Sequence, residues 1–322
     1  MTVKKAPAHA LDLSVPPEFA EWLRVGTCSW KYDSWKGLIY EQGKDYSARD
    51  YLPDYARRLR TVEVDQWFWS LFPDSIRLPD PGDVKRYADS VPDDFVFSIK
   101  APNALTLTHF YSKLSSAEKD FAGKPNKAFL DVGLLERFLE CLKPLGRKRG
   151  PLMFQFEYLN KQKMASKEAF FEAFGAFMEK APKGVAYAVE IRNPNYLSKP
   201  FFDFLAGHKL GYVYLDGYYM PPIGTIFETY KPAPARFSVI RLHGGDRGEI
   251  EKEMGEIWNR IVAPKPEAIQ AAARITVENI RQKIKTIVNV NNHFEGSAPL
   301  TIERFLETLK NESAAHTSHD IG

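Results

Sequence analysis

Two cysteines in 322 residues, Cys28 and Cys141, are too few for a disulfide scaffold, and neither sits in a CxxC pair or a Cys/His zinc spacing. No run approaches the ~20 consecutive apolar residues that a membrane helix needs. Charge of one sign is scarce as well. Against 41 Asp and Glu stand 44 Lys and Arg, a formal net charge of +3, which over this length gives no reason to expect nucleic acid. Short basic runs do occur, Arg57-Arg58 with Arg60 and Arg147-Lys148-Arg149. Each closes a helical pattern, where cations complement the helix dipole and face water. Residues 1–17 hold Lys4-Lys5 followed by prolines and no continuous apolar core, so no secretory leader is expected and the expected setting is the reduced cytoplasm. The GxGxxG fingerprint of an open dinucleotide-binding sheet is missing after the first apolar run.

What is present is a short apolar run that recurs eight times and ends each time on polar residues. The runs are 25–30 (VGTCSW), 61–67 (TVEVDQW), 95–101 (FVFSIKA), 152–157 (LMFQFE), 186–193 (AYAVEIRN), 212–216 (YVYLD), 237–244 (FSVIRLHG) and 286–293 (TIVNVNNH). Their β-branched and aromatic content marks strands, and their near-continuous hydrophobicity marks a parallel sheet covered on both faces. Helical spacing of apolar residues falls between them, at 48–59, 130–142, 166–180 and 267–285. Pro53 predicts a kink or a late start in the first of these, and Ser166 is the expected N-cap of the third. Eight β/α units with right-handed crossovers predict an α/β chain folded as a single (β/α)8 TIM-type barrel over residues 21–310. Residues 1–20 are read as an N-terminal arm and 311–322 as a flexible tail. Two connections are unusually long, 102–129 with Lys113, Lys119 and Lys124, and 217–236 with four prolines among its aromatics. Both are expected to lie over the catalytic face as lids.

Residues two apart on a strand share a face. At the strand ends this rule groups Glu63 with Asp65, Ser98 with Lys100, Glu190 with Arg192, and Arg241 with His243. It also aligns Asn289, Asn291 and His293, while Gln155 and Asp216 add polar ends to the fourth and sixth strands. So many ionisable side chains on one inner face require either mutual pairing into a structural plug or a wet pocket. Their late position in the strands favours a pocket, because barrels keep their active sites there. Trp30 and its neighbours Trp35, Trp67 and Trp69 flank the first two strand ends and are able to stack on a ligand or to pack the rim. His109, in the third connection, is a further candidate for the pocket. Cys28 has no adjacent base and reads as a buried thiol.

At these same strand ends the chain resembles the YecE-like proteins, domain-of-unknown-function family 72. The matching stretches run in order from Gly26 to about Leu309. They are GTCSWKYDSWKGLIY, TVEVDQWFWSLFP, FSIKAP with Thr108-His109, PLMFQF, VEIRNPNY, IRLHG and NNHFEGSAP. The resemblance implies a (β/α)8 barrel and no established activity. It departs in GDRGEIEKEMGEIW after IRLHG, where members often carry a Tyr-containing stretch, in Cys28-Ser29, and in Asp65 where Asn is usual.

The first functional expectation is a hydrolase or lyase acting on a small polar or anionic substrate such as a phosphate, carboxylate or sugar. Glu63 and Glu190 stand as base or nucleophile and His243 as acid. Lys100, Arg192 and Arg241 hold the anion, and Asn291 and Asn292 orient it, with Trp30, Asp65, His109, Gln155 and Asp216 completing the binding set. The second is a divalent-metal enzyme built on Glu63, Glu190, Asp216 and His243, against which the nearby cations compete. The third is a non-catalytic nucleotide or nucleic-acid module using the tryptophans and surface cations. The first calls for no cofactor, no metal and no membrane partner.

Overall fold

The computed structural model describes residues 11–112, 119–232, 235, 237–245 and 247–319. Eight parallel strands close in chain order: β1 (Leu23–Cys28), β2 (Thr61–Val64), β3 (Val96–Lys100), β4 (Arg149–Gln155), β5 (Tyr187–Glu190), β6 (Gly211–Gly217), β7 (Phe237–Gly244) and β8 (Lys285–Val290). The barrel is sealed where β8 pairs with β1, from Leu23↔Thr286 to Thr27↔Val290. All eight apolar runs are therefore strands. Several of their polar ends, however, leave the sheet early. β5 stops at Glu190, ahead of the helical turn Pro194–Tyr196. β8 stops at Val290 because the Asn291 side chain accepts the His293 N–H at 2.9 Å and starts the turn Asn292–Glu295.

The helix layer is α1 (Tyr51–Ala56), α2 (Pro81–Asp89), α3 (Val132–Cys141), α4 (Lys167–Lys180), α5 (Lys199–Gly207), α6 (Ile223–Tyr230), α7 (Pro266–Arg281) and α8 (Ala298–His319). Ser166 caps α4 by accepting the Ala169 N–H at 3.1 Å. Pro53 lies in the first turn of α1, where its missing N–H costs nothing, so that helix starts late. α2 escaped the apolar period, although Asp80-Pro81 is an N-cap followed by a first-turn proline. The connection 217–236 carries α6, whose Ile223 and Ile226 are buried, so it is only in part a loop; Pro234 lies outside the described residues, as does Lys113 in the other long connection.

Alternation then sorts the strand residues. Outward residues build the main core, as when Phe154 packs against Phe174 and Phe177 at ring-centroid distances of 5.5 and 5.6 Å. Inside the barrel a small cluster of Met153, Ala188, Val213 and Val239 fills the lower bore, and above it polar side chains gather around Arg241, with Leu215 as its ladder partner on β6. Leu11, Leu13 and Phe19 of the arm are buried in the main core, while residues 1–10 lie outside the described residues. At the other end α8 continues through His319, into the stretch read as a tail, whose last residues 320–322 also lie outside.

The closure leaves no room at Gly26, where a Cβ would come within 1.9 Å of the Thr61 carbonyl oxygen of the neighbouring strand. Backbone cannot yield there without breaking the β1–β2 ladder. Gly26→Ala is expected to lower stability by about 1–3 kcal/mol or more, checked by chemical denaturation. An unchanged midpoint would show that the ladder gives way freely.

Candidate active site at the barrel mouth

Arg241 comes from the inner face of β7 and has no exposed surface. Its Nε and Nη2 donate to the two oxygens of Glu63 on β2, at 2.7 and 2.8 Å, a bidentate pair across the barrel. Its Nη1 donates to Glu190 on β5 and lies 3.5 Å from the Gln155 amide oxygen on β4. Glu63 is also 3.4 Å from the Lys100 ammonium, and Glu190 accepts from Arg192 Nε at 3.0 Å. The result is a string of alternating charge: Lys100, Glu63, Arg241, Glu190, Arg192. Burial by itself would raise both carboxyls. The charge of Arg241, helped by Lys100 and Arg192, outweighs it, and both lie below the usual carboxylate range. Below the string, Asn289 donates to Ser98 Oγ at 2.9 Å.

One residue pair higher on the same strands sit Asp65 and His243. Burial lowers His243 well below the ordinary imidazole value, and Arg241, Lys100 and Arg192 lower it further, so the ring is neutral at neutral pH. Asp65 is shifted the other way: burial raises it and the nearby Glu63 charge adds to the rise, against the pull of Lys100. Arg192 stacks its guanidinium on Tyr218, 3.8 Å from the ring centroid, and the Tyr218 hydroxyl is 3.5 Å from His243 Nε2. Tyr218 is set there by a backbone at positive φ that follows Gly217. Gly217 and Gly244 are glycines of necessity, because a Cβ on either would enter the carbonyl of the next strand end, Gly244 or His293. Cys28 lies beside Glu63 on β1, and burial pushes its thiol far up, so it is an inert buried thiol.

Other expected site residues stand apart. Asp216 shares its face with Tyr212 and Tyr214, which pack on the helix layer, and it lines a surface cavity with Pro222 and Lys265. It does not join the string, so the four side chains named for a metal ion are not brought together. Among the described residues no three His, Cys, Asp or Glu side chains form a group able to hold a metal. Trp30 is buried at the rim, edge-on to Tyr87. Asn292 is buried and accepts the Ala298 N–H at 2.9 Å, which makes it a bracket for the last helix. Asn291 spends its oxygen on the His293 backbone. His109 is half-buried in the third connection with Nδ1 2.9 Å from Thr108 Oγ1. His243, expected as the acid, is held in its neutral form by burial and the cations around it.

Two mouth elements escaped sequence reasoning. Tyr218 looked like one aromatic among several in a loop, with no spacing to single it out. Glu251 pairs with His293 at 3.0 Å from the helix Arg247–Met254, in the stretch where the chain departs from the family pattern.

Arg241→Met would leave Glu63 and Glu190 buried without their shared cation, at an expected cost of about 3–5 kcal/mol at neutral pH. In the native chain these carboxyls sit below their unfolded values, so they contribute stability that is lost as pH falls through the folded pKa. In the variant burial raises them, and stability is lost as pH rises. The deficit is therefore expected to shrink between about pH 7 and pH 5. Urea denaturation at both pH values measures it, and an equal deficit at both would contradict the arrangement.

The family model described as a protein of unknown function, DUF72, matches residues 24–320. A DUF72 family protein from Thermotoga maritima superposes with a TM-score of 0.62 at 18% identity, covering 90% of this chain and 99% of that one. A DUF72 family protein from Enterococcus faecalis does so with a TM-score of 0.59, also at 18% identity, covering 89% and 95%. At such identity the likeness is one of fold. No curated protein matches the chain. With the family model spanning nearly all of the barrel, the chain belongs to the DUF72 family.

Proposed function

We propose that the mouth is the active site of a hydrolase or lyase that takes a small anionic substrate. The observation that carries this reading is the alternating string. Two carboxylates neutralise Arg241 at the centre, which leaves Lys100 and Arg192 as cationic ends. Arg192 commits its Nε to Glu190, and no described residue takes its terminal nitrogens, which form a fork suited to phosphate or carboxylate. Glu63 and Glu190, held ionised by the guanidinium, are poor proton carriers and serve to position Arg241, Lys100 and Arg192. Acid–base work falls to the tier above. His243, neutral and beside Arg192, accepts a proton, and Asp65, whose carboxyl burial raises, is assigned as its partner. Environments that push two groups out of their ordinary ranges in opposite directions are a mark of acid–base assignment. The chain is read as acting in the cytoplasm on a small molecule, with no membrane or nucleic-acid partner; no helix among the described residues is long and apolar enough to cross a membrane.

Thermal-shift screening with inorganic phosphate, sugar phosphates and small carboxylates tests the anchor. Stabilisation that survives chelator and is reduced about tenfold in affinity by Arg192→Gln is expected. Stabilisation by Mn²⁺ or Zn²⁺ alone, lost with chelator and absent for every anion, would overturn it. Once a turnover assay is in hand, activity should fall on the acid side as His243 protonates below the usual imidazole value, and His243→Gln should remove that limb.

A further inference from the structure

The inward faces that form the mouth also have lower ends. Stepping down by twos from Gly26 on β1 reaches Arg24, from Ile287 on β8 Lys285, and from Val239 on β7 Phe237, while on β4 a register shift against β3 breaks the alternation below Leu152 and Arg149 reaches the opening from the strand start. β5 and β6 supply only Ala186 and Gly211 at this level. The Phe237 ring lies over Gly211, where a Cβ would come within 2.7 Å of it. The small residues leave a cavity of about 320 Å³ at the N-terminal opening, lined by Trp22, Pro151 and Phe237 together with Arg24, Arg147, Arg149 and Lys285. It is stopped from above by the cluster of Met153, Ala188, Val213 and Val239 on which Phe237 packs. A neighbouring cavity of about 350 Å³ shares Arg24 and adds Arg57, Arg58 and Arg60 against Asp94.

The charge here is not that of the rest of the chain. The two cavities are lined by seven Lys or Arg and two Asp or Glu, in a protein whose whole net charge is +3. Helix dipoles explain cations that follow helices, such as Arg57, Arg147 and Arg149, but not Arg24 and Lys285, which sit at strand starts. Arg57, Arg60 and Arg147 have carboxylate partners in Asp54, Asp94 and Asp93. Among the described residues no ion pair engages Arg24, Arg58, Arg149 or Lys285. Arg24 Nε is buried with no hydrogen-bond partner. Arg24 and Arg58 spend one terminal nitrogen each on backbone carbonyls, of Ala20 and Leu23 and of Leu11, but guanidinium groups without a carboxylate beside a cavity still fit phosphate, and the half-buried Trp22 and Phe237 offer ring faces beside them.

We propose that the N-terminal bore is a second binding site, for a nucleoside phosphate. Its base lies against Trp22 and Phe237, and its phosphates reach the arginine collar. The plug above the cavity leaves no channel for a long acyl chain, and the volume falls at the lower end of small-molecule sites.

Titration of the full chain with AMP, followed by tryptophan fluorescence and thermal shift, tests this, with adenosine and inorganic phosphate as single-feature probes. A saturable response to AMP is expected, with each probe binding about tenfold or more weakly. Trp22→Phe should remove most of the fluorescence change. Arg149→Gln and Lys285→Gln should each weaken AMP about tenfold, and Arg192→Gln in the mouth should leave it unchanged. If Trp22→Phe does not fold, the thermal shifts of the Arg149 and Lys285 variants decide. The proposal fails if AMP gives no saturable response, or if phosphate binds as well as AMP. It also fails if the response survives Arg149→Gln and Lys285→Gln but is lost with Arg192→Gln, which would place the nucleotide in the mouth.

Discussion

A guanidinium with no exposed surface must be neutralised where it stands, and that requirement organises the upper half of this barrel. Arg241 spans the bore from β7 and needs acceptors on the opposite wall, at one height, from strands far apart in sequence. Glu63 and Glu190 meet it from β2 and β5. Two carboxylates around one guanidinium leave an excess negative charge, and Lys100 and Arg192 take it up from outside. Breaking such a buried pair costs far more than the pair contributes net, so its presence points to specificity of arrangement more than to bulk stability.

The family motifs are largely scaffolding around this centre. Asn103 accepts the Ser70 and Leu71 N–H groups at 2.9 and 2.8 Å and ties the loop after β3 to the loop after β2. Asn193 makes a reciprocal pair with the Leu159 backbone, at 2.7 and 3.0 Å, and so joins the loops after β4 and β5. Glu295, fully buried, accepts from Arg304, Thr301 and the Lys265 N–H, and anchors the last helix to the chain entering α7. Each amide or carboxylate satisfies loop backbone that would otherwise be buried without partners. A polar residue in a motif near the mouth is therefore as readily a bracket as a ligand contact, and only its partners distinguish the two.

The bore has opposite characters at its ends. At the top every cation of the string has a carboxylate beside it, and the pKa shifts follow from that pairing. At the bottom several cations line cavities with no such partner. An apolar cluster separates the ends, so the charges of one are insulated from those of the other by a layer of packed side chains.

Alternation, apolar runs and chain order determined a great deal: eight strands, their sequence around the barrel, and an inner polar face holding Glu63, Lys100, Glu190, Arg192, Arg241 and His243. Local rules suffice for these because a strand's facing has a period of two and a parallel barrel closes in chain order. They did not extend to Asp216, whose position is late in β6 but on the face toward the helices, nor to Trp30, which is buried edge-on to Tyr87. Roles were beyond them as well. Glu63 and Glu190 look like a catalytic base or nucleophile in a list of residues, and His243 like a proton donor. A pKa depends on what lies within a few ångströms in space, and those neighbours come from different strands. The pairing of Arg241 across the bore, the stacking of Arg192 on Tyr218 and the arginine collar at the base were decided only when the sheet closed.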